Sequence, residues 1–99
     1  MNIEVTLSNN KDAFLFNSGT PSGVAVRLPE IIITKGFDTD TAINITVAIA
    51  EGVAGSLVAA WLYDKFKQCR SDQITINRRV INLSDGKVTQ IIEETIKVE

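Results

Sequence analysis

Ile3, Val5 and Leu7 alternate with Glu4 and Thr6, and that period of two predicts a strand with one buried face. Ser8 to Asp12 is a turn cluster, after which Ala13–Phe16 reads as a returning strand with Phe14 and Phe16 on one face. Residues 17–23 (NSGTPSG) form a loop by composition, and Val24, Val26 and Leu28 alternate again with Arg27 facing outward. Pro29 interrupts that alternation, so the Ile31–Ile33 run is expected at an edge or after a bend.

Asp38 to Thr41 offers several helix N-caps, and the chain from 40 to 67 then reads as one long apolar helix, rich in Ala and free of proline. Lys65, Lys67 and Arg70 suit the negative pole at its far end. Residues 73–77 (QITIN) and 80–83 (VINL) predict two short strands joined by a hairpin turn at Asn77-Arg78-Arg79, with Asn77 able to take a positive φ. After Ser84-Asp85-Gly86 comes a final helix with Val88, Ile91, Ile92 and Ile96 on one face. Strands, long helix, hairpin and short helix together predict one α+β domain over residues 1–99. The expected form is a two-layer sandwich: a small, mainly antiparallel sheet with the long helix and the C-terminal helix.

The long helix is the informative element. At ~1.5 Å per residue it would measure about 42 Å, against a radius of gyration near 13 Å for a domain of this size. It must bend, protrude or be shared, and Gly52 and Gly55 are the natural bending points. Ile49, Val53 and Leu57 form a bulky stripe, while Asn44, Ala48, Glu51, Gly52, Gly55 and Ala59 form a small-residue stripe roughly opposite. A helix apolar nearly all round needs cover on two sides. Either the sheet and the C-terminal helix supply both covers, or Ala48, Glu51, Gly52, Gly55 and Ala59 pack against a second copy or another protein.

Composition narrows the chemistry. The chain has 44% hydrophobic and 22% charged residues, which is globular, and only 6% aromatic residues. Ten basic and twelve acidic residues leave a formal charge of −2, too balanced to draw the whole chain onto nucleic acid or anionic lipid. One cysteine, Cys69, excludes an internal disulfide, and the N-terminus lacks the pattern of a secretory signal, so a cytoplasmic location is expected. Residues 42–63 approach the ~20 residues of a membrane span, but Glu51 at its middle costs about 2.5–3.5 kcal/mol on insertion scales. A membrane-associated protein is the weakest alternative.

No histidine is present, which removes the commonest general base and metal ligand, and no nucleotide-binding glycine motif occurs. No catalytic residue, metal site or cofactor is predicted. Asp38-Thr39-Asp40 lacks the glycine and the bidentate glutamate of a calcium loop and suits helix capping instead. Glu93 and Glu94 diverge on their helix, and Glu51 would be an unusual carboxylate only if buried. Lys65, Lys67, Arg70, Arg78 and Arg79 lie at a helix end and a hairpin turn, so they form a phosphate-binding patch if those ends converge.

The stretch GSLVAAWLYDKFK, the hairpin ITINRRVINL and the helix VTQIIEETI resemble small bacterial stand-alone proteins and effector-associated domains of conflict and defence systems. The resemblance covers about half the chain and rests on Trp61, Leu62, Ile74, Ile76 and Ile91. It implies a non-catalytic module that binds a protein partner, such as an adaptor or inhibitor, and assigns no functional residue. A protein partner or self-association is therefore the first expectation, and a nucleic-acid-binding domain the second.

Overall fold

A computed structural model of the chain describes residues 1–28, 42–71 and 73–97. Among the described residues, five antiparallel strands form one sheet: β1 (Asn2–Leu7), β2 (Val24–Arg27), β3 (Ile43–Ile49), β4 (Ile74–Ile76) and β5 (Arg79–Ile81), in the order β2-β3-β1-β4-β5. The described helices α1 (Gly55–Gln68) and α2 (Val88–Lys97) pack with the sheet around one core, as the two-layer α+β reading predicts.

The register shows how the core is built. Ile3, Val5 and Leu7 of β1 stand opposite Val47, Ile45 and Ile43 of β3, and all six are buried. Ile74, Ile76 and Ile81 extend that apolar face across β4 and β5. On α1, Val58, Ala59, Trp61, Leu62, Lys65 and Phe66 are buried, a spacing that lays one side of a 3.6-residue helix on the sheet. From α2, Val88, Ile92, Thr95 and Ile96 complete the layer. The other face of the sheet carries Asn2, Glu4, Thr6, Asn44, Thr46 and Thr75, none of them fully buried.

The single helix over 40–67 is replaced by strand, turn and helix. Residues 43–49 alternate strictly in burial, Ile43, Ile45, Val47 and Ile49 inward, with Asn44, Thr46 and Ala48 on the other side. β-branched residues at most of these positions favour the pleated form, and β1 supplies a matching apolar face. Gly52 then takes φ +90°, a conformation no helix passes through, so it reverses the chain where a bend was expected. A continuous 42 Å rod would also have exceeded the longest dimension of the molecule, 35 Å. Ala54, in extended conformation, precedes α1, and its carbonyl accepts from Leu57 N and Val58 N.

The Ala13–Phe16 strand is likewise replaced, by a 3-10 helix over Asn10–Asn17. Asn9 starts it by accepting from Lys11 N with its side chain (3.0 Å) and from Asp12 N with its carbonyl (3.2 Å). Ala13 and Phe16, three apart, share the buried side, whereas Phe14 is 48% exposed, so the two phenylalanines do not share a face. Eight residues is long for a 3-10 helix, and Asp12 anchors this one. Its buried carboxylate accepts from Arg70 N (2.9 and 3.0 Å), Ser71 N (2.7 Å) and Ser71 Oγ (2.6 Å), tying the segment to the chain beyond α1.

The hairpin forms as expected, with Asn77 (φ 49°) and Arg78 (φ 71°) as a two-residue turn. The final helix also forms, with Asn82 and Asp85 capping the turns that precede it. The Ile31–Ile33 strand, the Pro29 break and the Asp38–Thr41 caps lie outside the described residues.

Candidate functional site

Three of the five residues proposed for a partner interface meet at one end of the sheet. Glu51 and Gly52 form the turn leaving β3, and Gly55 begins α1. With Met1, Ile49, Val53, Val58, Ile96 and Lys97 they line a groove of about 460 Å³ between that turn and the end of α2. Met1 is 56% exposed there, while Ile49, Val58 and Ile96 form its buried floor. Gly55 faces α2 across it: a Cβ at that position would stand at ordinary contact distance, 3.7 Å from Glu93 Cγ and 3.8 Å from Lys97 Cε. A Glu93–Lys97 ion pair (3.4 Å) closes one rim, and Glu51 is exposed on the other.

The remaining two do not belong. Ala48 lies on β3 with its side chain on the face away from the core, and Ala59 is fully buried inside it. The small-residue stripe does not form, because Asn44 and Ala48 lie on a strand, Glu51 and Gly52 in a turn, and Gly55 and Ala59 on α1. Glu51, expected to be unusual if buried, stands exposed at a turn.

The five basic residues also separate. Lys65 is only 7% exposed, and its Nζ donates to Ser18 Oγ (3.1 Å) while Trp61 Nε1 donates to Ser18 O (3.4 Å). Lys65 therefore pins a loop onto α1. Lys67 lies over the Tyr63 ring (4.8 Å to its centre), with Arg70 just beyond α1. Arg79 turns toward the helical layer, where its Nη1 donates to Thr95 Oγ1 (3.3 Å). Arg78 instead lines a depression on the sheet's open face with Glu4, Arg27, Thr46, Asn2 and Asn77. The helix end and the hairpin turn do not converge.

Among the described residues, no group of three His, Cys, Asp or Glu is placed to hold a metal ion. No described helix is long and apolar enough to cross a membrane. The one thiol is quiet: burial, and secondarily the Asp12 carboxylate, push Cys69 up to about 12 from 9.0. At pH 8 that leaves about a thousandfold less thiolate than in the unfolded chain, so alkylation by iodoacetamide is expected to be about a hundredfold to a thousandfold slower in buffer than in denaturant. The same shift makes stability pH-dependent. The neutral thiol contributes fully below pH 9.0 and its contribution is lost as pH rises toward about 12.

Comparison of the chain with protein-family models, curated proteins and solved structures gave no match.

Proposed function

We propose that this chain is a non-catalytic protein-interaction module, and that the groove beside Gly55 is where a second copy docks. The supporting observation is the groove itself: an apolar concavity over Ile49, Val58 and Ile96, beside an exposed Met1. Its rim carries the exposed acid Glu51 on one side and the Glu93–Lys97 ion pair on the other. A two-fold arrangement covers the apolar floor of each groove and buries the exposed Met1 of both copies. The likeness of residues 52–99 to conflict-system domains supports the same class, an adaptor or inhibitor in bacterial defence or phage conflict. The single cysteine, which allows no disulfide within the chain, supports a cytoplasmic setting. The alternative, a nucleic-acid interface through Lys65, Lys67, Arg70, Arg78 and Arg79, gains no support from their separated positions.

Light scattering over a concentration series tests the proposal. The chain is expected to dimerise, and Gly55→Leu, which fills the groove, to leave it monomeric with an unchanged circular dichroism spectrum. Gly55→Ala is the control, because its methyl group meets only ordinary contacts. It is expected to keep the dimer and the fold, since alanine at the first position of α1 fits the backbone there. A strict monomer at every concentration, or dimerisation indifferent to leucine, overturns the reading.

A further inference from the structure

The depression on the open face of the sheet has a chemistry of its own, independent of the groove. Arg27 pairs in register with Thr46, and Thr46 with Glu4, so the three side chains share one row across β2, β3 and β1. Asn77 continues the row. Its backbone N donates to Glu4 O (2.8 Å), and its Oδ1 accepts from Glu4 N (2.9 Å), extending the β1–β4 ladder into the turn. At ~4.8 Å per strand step, Arg27 and the turn lie about 14 Å apart, one at each side of the depression. Its volume is about 490 Å³.

The hydrogen-bonding inventory is one-sided. Among the described residues, the side chains of Asn2, Arg27, Thr46 and Arg78 have no hydrogen-bond or ion-pair partner, and Asn77 Nδ2 is buried without one. All five can donate. The one carboxylate, Glu4, already accepts from Asn44 Nδ2 (3.2 Å), which holds it toward the neighbouring row of Thr6 and Asn44. Two arginines and one glutamate leave a net charge of +1, which one carboxylate neutralises and a phosphate dianion does not. Arg78 adds an independent indication. It is held at φ 71° in the second position of a turn that favours Asn-Gly. A non-glycine residue there costs about 1–2 kcal/mol, and such strain is characteristic of residues kept for their side chains.

We propose that this depression binds a carboxylate presented by a peptide, with Arg27 and Arg78 as its two cationic contacts and Thr46 as a neutral donor. Among the described residues, the neighbouring side chains on this face, Asn2, Glu4, Asn44 and Arg78, are exposed.

Amide chemical shifts of the isotopically labelled chain report the binding. The probes are acetyl-Gly-Asp-Gly-amide for a side-chain carboxylate and acetyl-Gly-Gly for a terminal one. Acetyl-Gly-Asn-Gly-amide and inorganic phosphate serve as controls. One of the two carboxylates is expected to shift Glu4, Arg27, Thr46, Asn77 and Arg78 selectively, and which one does so identifies the source. Arg78→Gly is expected to weaken that binding at least tenfold while raising the melting temperature, since glycine relieves the turn. A structural role alone moves neither in that combination. Arg27→Gln, on a strand, is expected to weaken binding tenfold without changing the fold. The proposal is overturned if neither carboxylate shifts these amides, or if the asparagine peptide shifts them equally. It is overturned also if phosphate binds as tightly as the peptides, an adventitious ion only, or if both arginine variants bind unchanged.

Discussion

Phe16→Ala is expected to destabilise the fold by about 3–5 kcal/mol, the range for emptying a buried aromatic site. Phe16 is fully buried, with its ring 5.9 Å from Trp61 at a near-perpendicular angle and 5.8 Å from Phe66. Edge-to-face geometry adds to the area it removes from water. The loss falls on both helical segments at once, because Phe16 is how the 3-10 helix meets α1. For a domain near 100 residues, each kcal/mol lowers the melting temperature by roughly 4–8 °C. Thermal unfolding followed by circular dichroism should therefore show a drop of about 12–40 °C. Phe14→Ala, at a half-exposed position, should cost much less. Equal costs at both positions would mean that the two rings share a face after all, as a strand would place them.

Asp12→Ala should cost about 2–4 kcal/mol through a different mechanism. The carboxylate satisfies two backbone N–H groups and a hydroxyl, and removing it leaves those donors without their acceptor. Ser71 Oγ also accepts from Asn9 N (3.0 Å), so the same variant loosens the start of the 3-10 helix. Urea unfolding gives the global cost. Hydrogen exchange should show where it falls, with the Arg70 and Ser71 amides accelerated more than those of β3. Uniform acceleration would show that the clamp has no local role.

Much of this fold is legible along the chain because several elements carry their own signal. Ile3, Val5 and Leu7 alternate within one strand, and Val88, Ile92 and Ile96 repeat at helical spacing within one helix. Asn77 sits where a turn needs positive φ. Residues 43–49 misled because Ile, Val and Ala there suit either a buried strand or an apolar helix. The choice depends on β1, a partner that local periodicity does not include. Gly52 and Gly55 stand out in the sequence, but a glycine reads alike as a bend or as a positive-φ turn until its φ is known. The 3-10 helix depends on Asp12 finding Arg70 and Ser71, a pairing no local pattern announces.

The sites follow the same division. Glu51, Gly52 and Gly55 were found together because they adjoin in sequence, and the turn keeps them together. Arg27, Glu4 and Arg78 come together only through the strand order β2-β3-β1-β4-β5. Arg78 was singled out as a cation among four others, but its strained turn and its neighbours across the sheet were not visible. Lys65 was singled out for its charge, and its burial against Ser18 depends on a loop returning over α1.

The central place of β1 also shapes how the chain reaches this structure. One of its edges waits for β3 and the other for β4, with Val5 facing Ile45 on one side and Ile76 on the other. Such a pairing raises the contact order and slows folding, since long loops must close before the sheet is complete. At ~5–20 residues per second, synthesis takes on the order of 3–14 s to go from Leu7 to Ile76. Throughout that interval an apolar strand is available to a wrong partner. Asn2, Glu4 and Thr6 give that strand one polar face, so only half of its side chains are apolar while it waits.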